Sequence, residues 1–272
     1  MDGCIYCGVS RTEWKTHGRI GCAYCVTVFG EEFSQFIPGP APMQWEPTDL
    51  FPQKDLWKRF SSLPLEIGLQ KIDSYHLPFT YRYRVARNPK NSIYPRKSGK
   101  TDRFLSTITG EGEQENRDEE KKGEKLDFRE RIPWNSGTLL AGDEDHIRWE
   151  YVTDSLSELN TVLESDFLEK FWEKERFDFL EGIGFVTSCP TNSDQGDKLS
   201  VSLPASLAEN GDLVGFRLPT DWGFYREERK GRLVFFRKNF GRNRKNSFFN
   251  LVSYLALLVI AGKEGPKATF AL

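Results

Sequence analysis

Residues 141–151 read Ala-Gly-Asp-Glu-Asp-His-Ile-Arg-Trp-Glu-Tyr, and the parsing of this stretch decides the architecture around it. Ile147, Trp149 and Tyr151 alternate with His146, Arg148 and Glu150, the period-two signature of a strand with one buried face. Successive residues on one face of a strand stand about 6.5–7 Å apart, so Glu144, His146 and Arg148 are expected to line the open face together. A carboxylate and a guanidinium on one rigid strand could act on a substrate that carries both charges. Taken alone, the cluster reads first as a solvated strand edge with an ordinary ion pair. The rest of the chain has to shift that balance.

Downstream, Ser155-x-x-Glu158 has the form of a capping box, followed by Leu156, Leu159, Leu163, Phe167, Phe171 and Trp172 at helical spacing. This predicts one core-facing helix over residues 156–172. Strands are expected over 183–187, 199–203, 213–217 and 232–236. Residues 251–261 are apolar except for Ser253, too short a run to span a bilayer, and read as a buried core helix. Helices and strands in this order predict an α+β fold, a mainly antiparallel sheet flanked by helices.

Upstream, residues 95–131 are rich in mixed charge and poor in apolar residues, which predicts a mobile linker. Before it, Thr80-Tyr-Arg82-Tyr-Arg84-Val-Ala-Arg87-Asn88 alternates so that Arg82 and Arg84 share one face of a strand. Two guanidiniums aimed the same way make a clamp for phosphate oxygens. A plain basic strand face is the bland alternative. Eight Lys or Arg against one acid between Arg82 and Arg103 also leave a phosphodiester backbone open as a ligand. Pro38, Pro40, Pro42 and Pro47 mark residues 36–75 as a linker, with a short helix over 55–60.

At the start of the chain, Cys4-x-x-Cys7 and Cys22-x-x-Cys25 are separated by fourteen residues. Each pair can place two thiolates on one ion, and the loop between them can fold both onto a tetrahedral Cys4 zinc site. Four thiolates leave no open position, so this metal would be structural. The expected organisation is a zinc module over 1–35, the linker over 36–75, an Arg-x-Arg strand segment over 76–94, the charged linker over 95–132 and a compact domain over 133–272.

Composition bounds the partners. A net charge of -2 advertises neither nucleic acid nor membrane. The N-terminus carries no basic-then-apolar signal segment, and paired Cys-x-x-Cys motifs fit a reducing compartment. The expectation is a cytoplasmic protein.

Residues 4–33, including Gly18-Arg19-Ile20-Gly21-Cys22, resemble a zinc-binding repeat of the activator that partners bacterial protein-arginine kinase. Three further motifs in order, Arg82-x-Arg84-x-Ala-Arg-Asn, Glu144-Asp-His-Ile-Arg148 and Thr-Ser-Cys189-Pro-Thr-Asn, resemble the guanidino-phosphotransferase (phosphagen kinase) family, with bacterial protein-arginine kinases most similar. The resemblance spans residues 80–88 and 140–204. It implies a catalytic domain that transfers the γ-phosphoryl group of ATP, as its Mg2+ complex, to a guanidino nitrogen, with protein arginine side chains as acceptors. On that resemblance Glu144 orients the guanidinium and accepts its proton, Asp143 is the second acid, and Cys189 is the reactive thiol. Arg82, Arg84, Arg148 and Arg217 bracket the ATP phosphates, with Lys198 and Ser200 beside them. Lys198 stands where the family has an arginine, and Asp194 and Asp197 add negative charge near it. The alternative is a zinc-bearing pseudokinase or adaptor that docks on an arginine kinase or a chaperone-protease system. A zinc-containing nucleic-acid binder ranks third.

Overall fold

The computed structural model describes residues 2–47, 53–94, 130–142, 145–209, 213 and 216–264. Most of the expected charged linker, residues 95–129, lies outside the described residues, as do Asp143 and Glu144. The helices are α1 (Arg11–His17), α2 (Cys25–Ser34), α3 (Lys54–Ser61), α4 (Leu65–Asp73), α5 (Leu156–Leu163), α6 (Ser206–Glu209) and α7 (Lys245–Glu264). Seven strands, β1 (Thr80–Arg87), β2 (Glu130–Trp134), β3 (Gly137–Ala141), β4 (Ile147–Thr153), β7 (Asp197–Pro204), β8 (Gly223–Glu227) and β9 (Arg232–Lys238), form one sheet in the order β2-β3-β4-β1-β7-β9-β8. A second, two-stranded sheet pairs β5 (Phe179–Leu180) with β6 (Gly184–Phe185). The pairings β2–β3, β3–β4, β7–β9 and β8–β9 are antiparallel. The architecture is the α+β fold expected from the sequence.

β4 carries the anticipated alternation. Ile147, Trp149 and Tyr151 are buried, while Arg148 and Glu150 are partly open. His146 departs from the expectation: it precedes the strand and is buried. β2 is an edge strand, which is why it tolerates Pro133, a residue that cannot donate to a ladder.

The chain divides into two compact units. One comprises Met1–Gly39, Arg84–Tyr151 and Ser165–Asp197; the other comprises Pro40–Tyr83, Val152–Glu164 and Lys198–Leu272. In the first, α1 and α2 pack Trp14 against Phe29 and Phe33. The core there continues from Cys4, Cys22 and Cys25 through Ile20 to Tyr94 and Val186. The expected long helix over 156–172 stops at Leu163. Ser165 turns extended (φ -74°, ψ 135°) and a 3-10 turn, Asp166–Trp172, follows. That break re-aims the chain so that Phe167 and Phe171 meet the Trp134 ring and Phe167 also meets Trp149.

In the second unit, residues 54–73 form two helices rather than one, burying Leu56, Trp57, Phe60, Leu69 and Ile72. α7 is buried over most of its length. By length and composition it could cross a membrane, which the shorter run read from the sequence did not suggest. In the structure 78% of its most apolar window is covered, so it is the core helix expected. Of the strand expected over 213–217, residues 214 and 215 lie outside the described residues; Phe216 N–H donates to Leu213 C=O (3.0 Å), and the next strand, β8, begins at Gly223.

Candidate active-site loop and cysteine cluster

β6 leads into the segment that carries Cys189. Phe185 and Asp194 exchange both backbone hydrogen bonds (2.8 and 3.1 Å), so residues 186–193 form a loop closed at its base. Gly184, at φ +88°, sits so close to the Asp194 backbone that a Cβ would fall 2.6 Å from its Cα. Only glycine fits there. Inside the loop Thr187 N–H donates to Ser193 Oγ (3.1 Å), and Thr187 Oγ1 donates to Cys189 C=O (2.8 Å). Cys189 then caps a 3-10 turn, Pro190–Asn192, with Asn192 N–H returning to its carbonyl (2.9 Å). Its Sγ lies 3.2 Å from Thr191 Oγ1.

Arg84, near the middle of β1, reaches this loop and donates from Nη2 to Asn192 Oδ1 (3.3 Å). Arg87, three residues on, does something different. It is fully buried, donating from Nε to Phe171 C=O (2.6 Å) and from Nη1 to the carbonyls of Ala86 (2.7 Å) and Gln195 (2.9 Å). Its guanidinium lies 3.8 Å from the Phe185 ring centroid and 4.7 Å from that of Trp172. Gly196, at φ +67°, leaves room for it. Arg87 is thus a structural strut of the loop.

The other expected site residues fall as follows. Arg148 is half-buried on β4, opposite Leu140 of β3. Arg82 lies on β1 with its backbone carbonyl accepting from Ser200 Oγ (3.4 Å), and Ser200 is buried on β7. Lys198 pairs in register with Lys238, and its ammonium sits 3.6 Å from the Phe236 ring centroid. Arg217 is exposed in an irregular segment. Asp197 is buried rather than displayed, and Asp194 Oδ1 accepts from Gln195 Nε2 (2.9 Å).

Asp143 and Glu144 fall outside the described residues, but their flanks are pinned. Gly142 N–H donates to His146 C=O (3.0 Å). Buried Asp145 accepts from Ser188 N–H (2.9 Å), and His146 N–H donates to Asn88 Oδ1 (2.8 Å). His146 Nε2 lies 2.8 Å from Ile93 C=O; a carbonyl only accepts, so the ring nitrogen there carries the proton. Burial pushes the His146 imidazole below its usual value of 6.5, against the pull of that carbonyl. Tyr94 O–H donates to Asp178 Oδ2 (3.0 Å), and burial pushes the Asp178 carboxyl up to about 6. Asn88, Tyr94, Asp145, Asp178 and Ser188 are the residues that sequence reasoning missed. Asn88 and Asp145 sit inside the quoted motifs; nothing in the sequence pattern marks Tyr94 or Asp178.

The four cysteines come together as their spacing requires. Their Sγ atoms all lie within 4.8 Å of one another. Individual separations are 3.3 Å (Cys7–Cys25), 3.6 Å (Cys4–Cys22) and 3.9 Å (Cys22–Cys25). A tetrahedral ion with metal–sulfur bonds of ~2.3 Å needs sulfur–sulfur edges of about 3.8 Å, so the donor set fits zinc. Hydrogen bonding from Cys25 holds the Cys22 thiol down at about 5, whereas burial pushes Cys7 up to about 11. Gly21 is obligatory, since a Cβ would lie 2.8 Å from Cys7 Sγ.

Similarity to known proteins points the same way. No family model matches the chain. It is 35% identical over 96 residues to a protein-arginine kinase of Clostridium kluyveri, covering 34% of this chain and 26% of that protein. A protein-arginine kinase of Clostridium novyi is 32% identical over 80 residues, 28% of this chain and 23% of the relative. The matched stretch therefore spans about a quarter of these curated relatives. Among solved structures, lombricine kinase aligns with a TM-score of 0.56 at 14% identity, covering 91% of this chain and 81% of that one. The duplicated taurocyamine kinase of Schistosoma mansoni, with transition-state-analogue components bound, aligns with a TM-score of 0.57 at 14% identity, covering 92% and 42%. The fold is that of the guanidino kinases, and the sequence similarity is to protein-arginine kinases.

Proposed function

We propose that the protein is a guanidino phosphotransferase that moves the γ-phosphoryl group of Mg-ATP to arginine side chains of proteins. The observation that carries this reading is the convergence at the Cys189 loop. Arg84 binds the loop through Asn192, while Ser188, next to Cys189, is bonded to Asp145, next to Glu144. Three motifs far apart in sequence thereby meet.

In the reaction, a guanidino nitrogen of the acceptor attacks the γ-phosphorus, an N–P bond forms, and the bond to the bridging oxygen of ADP breaks. The nitrogen loses a proton, which Glu144 takes, with Asp143 as the second acid. The Cys189 thiolate lies beside the acceptor guanidinium and balances its charge. Arg82, Arg84, Arg148 and Arg217, with Lys198 and Ser200, serve the phosphates. Such transfers need little covalent chemistry from the protein and much positioning and charge neutralisation, which guanidiniums supply. Mg2+ enters as part of the nucleotide substrate and offsets the phosphate charge. Zinc at Cys4, Cys7, Cys22 and Cys25 holds the N-terminal module in shape.

The test is incubation with Mg-ATP and an arginine-rich unfolded protein, followed by detection of acid-labile phosphate on arginine. Glu144→Gln is expected to abolish product while Mg-ATP still raises the melting temperature. Undiminished product from this variant would remove Glu144 from the mechanism.

A second reading has its own support. Lys198 replaces the family's arginine, and its ammonium lies 3.6 Å from the Phe236 ring centroid. A pseudokinase that docks on an arginine kinase or a chaperone-protease system would show neither product nor a thermal shift with Mg-ATP.

A further inference from the structure

We infer that metal at the four cysteines is a built-in holder of the Cys189 loop, acting through Ser188 as a positioning residue. The bonds run directly from one to the other. Ile20 and Gly21 immediately precede the ligand Cys22. Ile20 N–H donates to Ser188 C=O (2.9 Å), and Ser188 Oγ donates back to Ile20 C=O (3.1 Å). The N–H of Tyr94 donates to Gly21 C=O (2.7 Å), and its hydroxyl lies 3.4 Å from Val186 C=O as well as bonding Asp178. Val186 N–H in turn donates to Asp178 C=O (2.8 Å). Val186 and Ser188, alternate residues on the approach to Cys189, are therefore both held by groups fixed to the cysteine knuckle.

Packing reinforces the bonds. Ile20, Tyr94 and Val186 belong to one buried cluster with Cys4, Cys22 and Cys25, and Leu180 and Ile183 pack against it. Residues 4–33 bring little apolar surface of their own, so an ion at the cysteines adds to this shared core in fixing the knuckles. Loading the ion fixes Ile20–Gly21, and this fixes Ser188. Ser188 sets the thiol on one side and, through Asp145, the flank of Asp143–Glu144 on the other. Without the ion, the knuckle loosens and the loop loses one wall.

The inference rests on the metal reading of the cysteines and on Cys189 being at the reacting centre. Its test is independent of phosphoryl transfer. The full-length protein is alkylated with iodoacetamide under native conditions, and modification of the Cys189 peptide is followed by mass spectrometry alongside elemental zinc content. Three forms are compared: zinc-loaded wild type, wild type treated with chelator, and zinc-loaded Ser188→Ala. Ser188→Ala removes the hydroxyl's bond to Ile20 C=O, leaving the backbone bond between the two residues, without touching a ligand. The expected result is one zinc per chain in both loaded forms, with Cys189 alkylated about tenfold faster in Ser188→Ala, the scale of one lost hydrogen bond. Chelation should speed it at least as much, and Ser188→Thr, which keeps the hydroxyl, should return it to the wild-type rate. A zinc-loaded Ser188→Ala protein with wild-type Cys189 reactivity would overturn the holder. So would wild-type reactivity unaffected by chelation. Protein without zinc in any form would overturn it at the metal instead, and loss of phosphoryl transfer with the alkylation pattern intact would implicate the proposed function alone.

Discussion

At the residue scale, two arginines three positions apart on β1 have opposite jobs. Arg84 faces the loop and reaches Asn192; Arg87 is swallowed by the core and bonds three carbonyls. Arg87→Lys should cost about 2–4 kcal/mol in urea denaturation, because a point charge cannot replace a planar fork and leaves buried acceptors unmade. Arg84→Lys should change stability by less than about 1 kcal/mol. Equal losses in the two variants would mean that burial does not separate their roles. The sequence grouped Arg82, Arg84 and Arg87 in one motif and could not tell strut from contact, since burial of Arg87 depends on Trp172, Phe185 and Gly196, all remote in the chain. His146 teaches a similar lesson. Alternation put it on the open face, yet bonds to Asn88 and Ile93 draw it inside. Its pKa is depressed in the folded state, so it contributes stability above the free imidazole's 6.5 that is lost as pH falls through its lowered folded value. The His146 share of the urea midpoint should therefore drop on acidification from pH 8 to 5.5, opposed by Asp178, whose buried carboxyl, raised to about 6, favours the folded state as it protonates. His146→Gln, which can still donate to Ile93 C=O, should flatten that drop; an unchanged pH profile would assign the sensitivity to other groups.

At the element scale, the start of α5 shows how a local signal can be half right. Ser155 does accept from Glu158 N–H, but the Glu158 carboxylate bonds Thr153 Oγ1 instead of closing the box. The Ser155 N–H is met by Thr153 Oγ1 (3.1 Å), and the N–H groups that follow it by Asp73, the last residue of α4. Its carboxylate accepts from the N–H groups of Leu156 and Ser157 and from the hydroxyls of Ser155 and Ser157. A negative charge at a helix N-terminus also suits the helix dipole. Asp73→Ala should cost about 1–3 kcal/mol, more than Ser155→Ala, by chemical denaturation. The reverse ranking would make the local cap dominant. Strong periodicity made β4, β7, β9 and α7 legible. The edge strands β2 and β8 were not, because the first contains Pro133 and the second is largely exposed and lacks an apolar stripe. α4 was hidden behind the prolines that precede it. The boundary after Leu163 was invisible because apolar residues continue at helical spacing while the backbone does not.

At the scale of the whole molecule, the class of fold and the grouping of four cysteines could be read from the chain before its structure was known, since both rest on spacing. The way the cysteine knuckle meets the approach to Cys189 could not. It is made of one backbone bond and one hydroxyl bond between Ile20 and Ser188 and of a tyrosine whose partners lie more than 70 positions away. The sheet order carries a consequence for how the chain assembles. β1, early in sequence, ends in the interior of the sheet, and its neighbours β4 and β7 begin only at residues 147 and 197. Neither neighbour can be reached through a short turn, so each pairing requires closure of a long loop before any ladder rewards it. β2, β3 and β4 can zip locally within a few residues, and β8 and β9 likewise. The expected course is rapid formation of these two hairpin-linked ribbons, then a slow search in which β1 is captured between them. Until that happens, two alternating Tyr-Arg rows with both edges bare are exposed to any other chain, which makes β1 the segment most dependent on a chaperone during refolding.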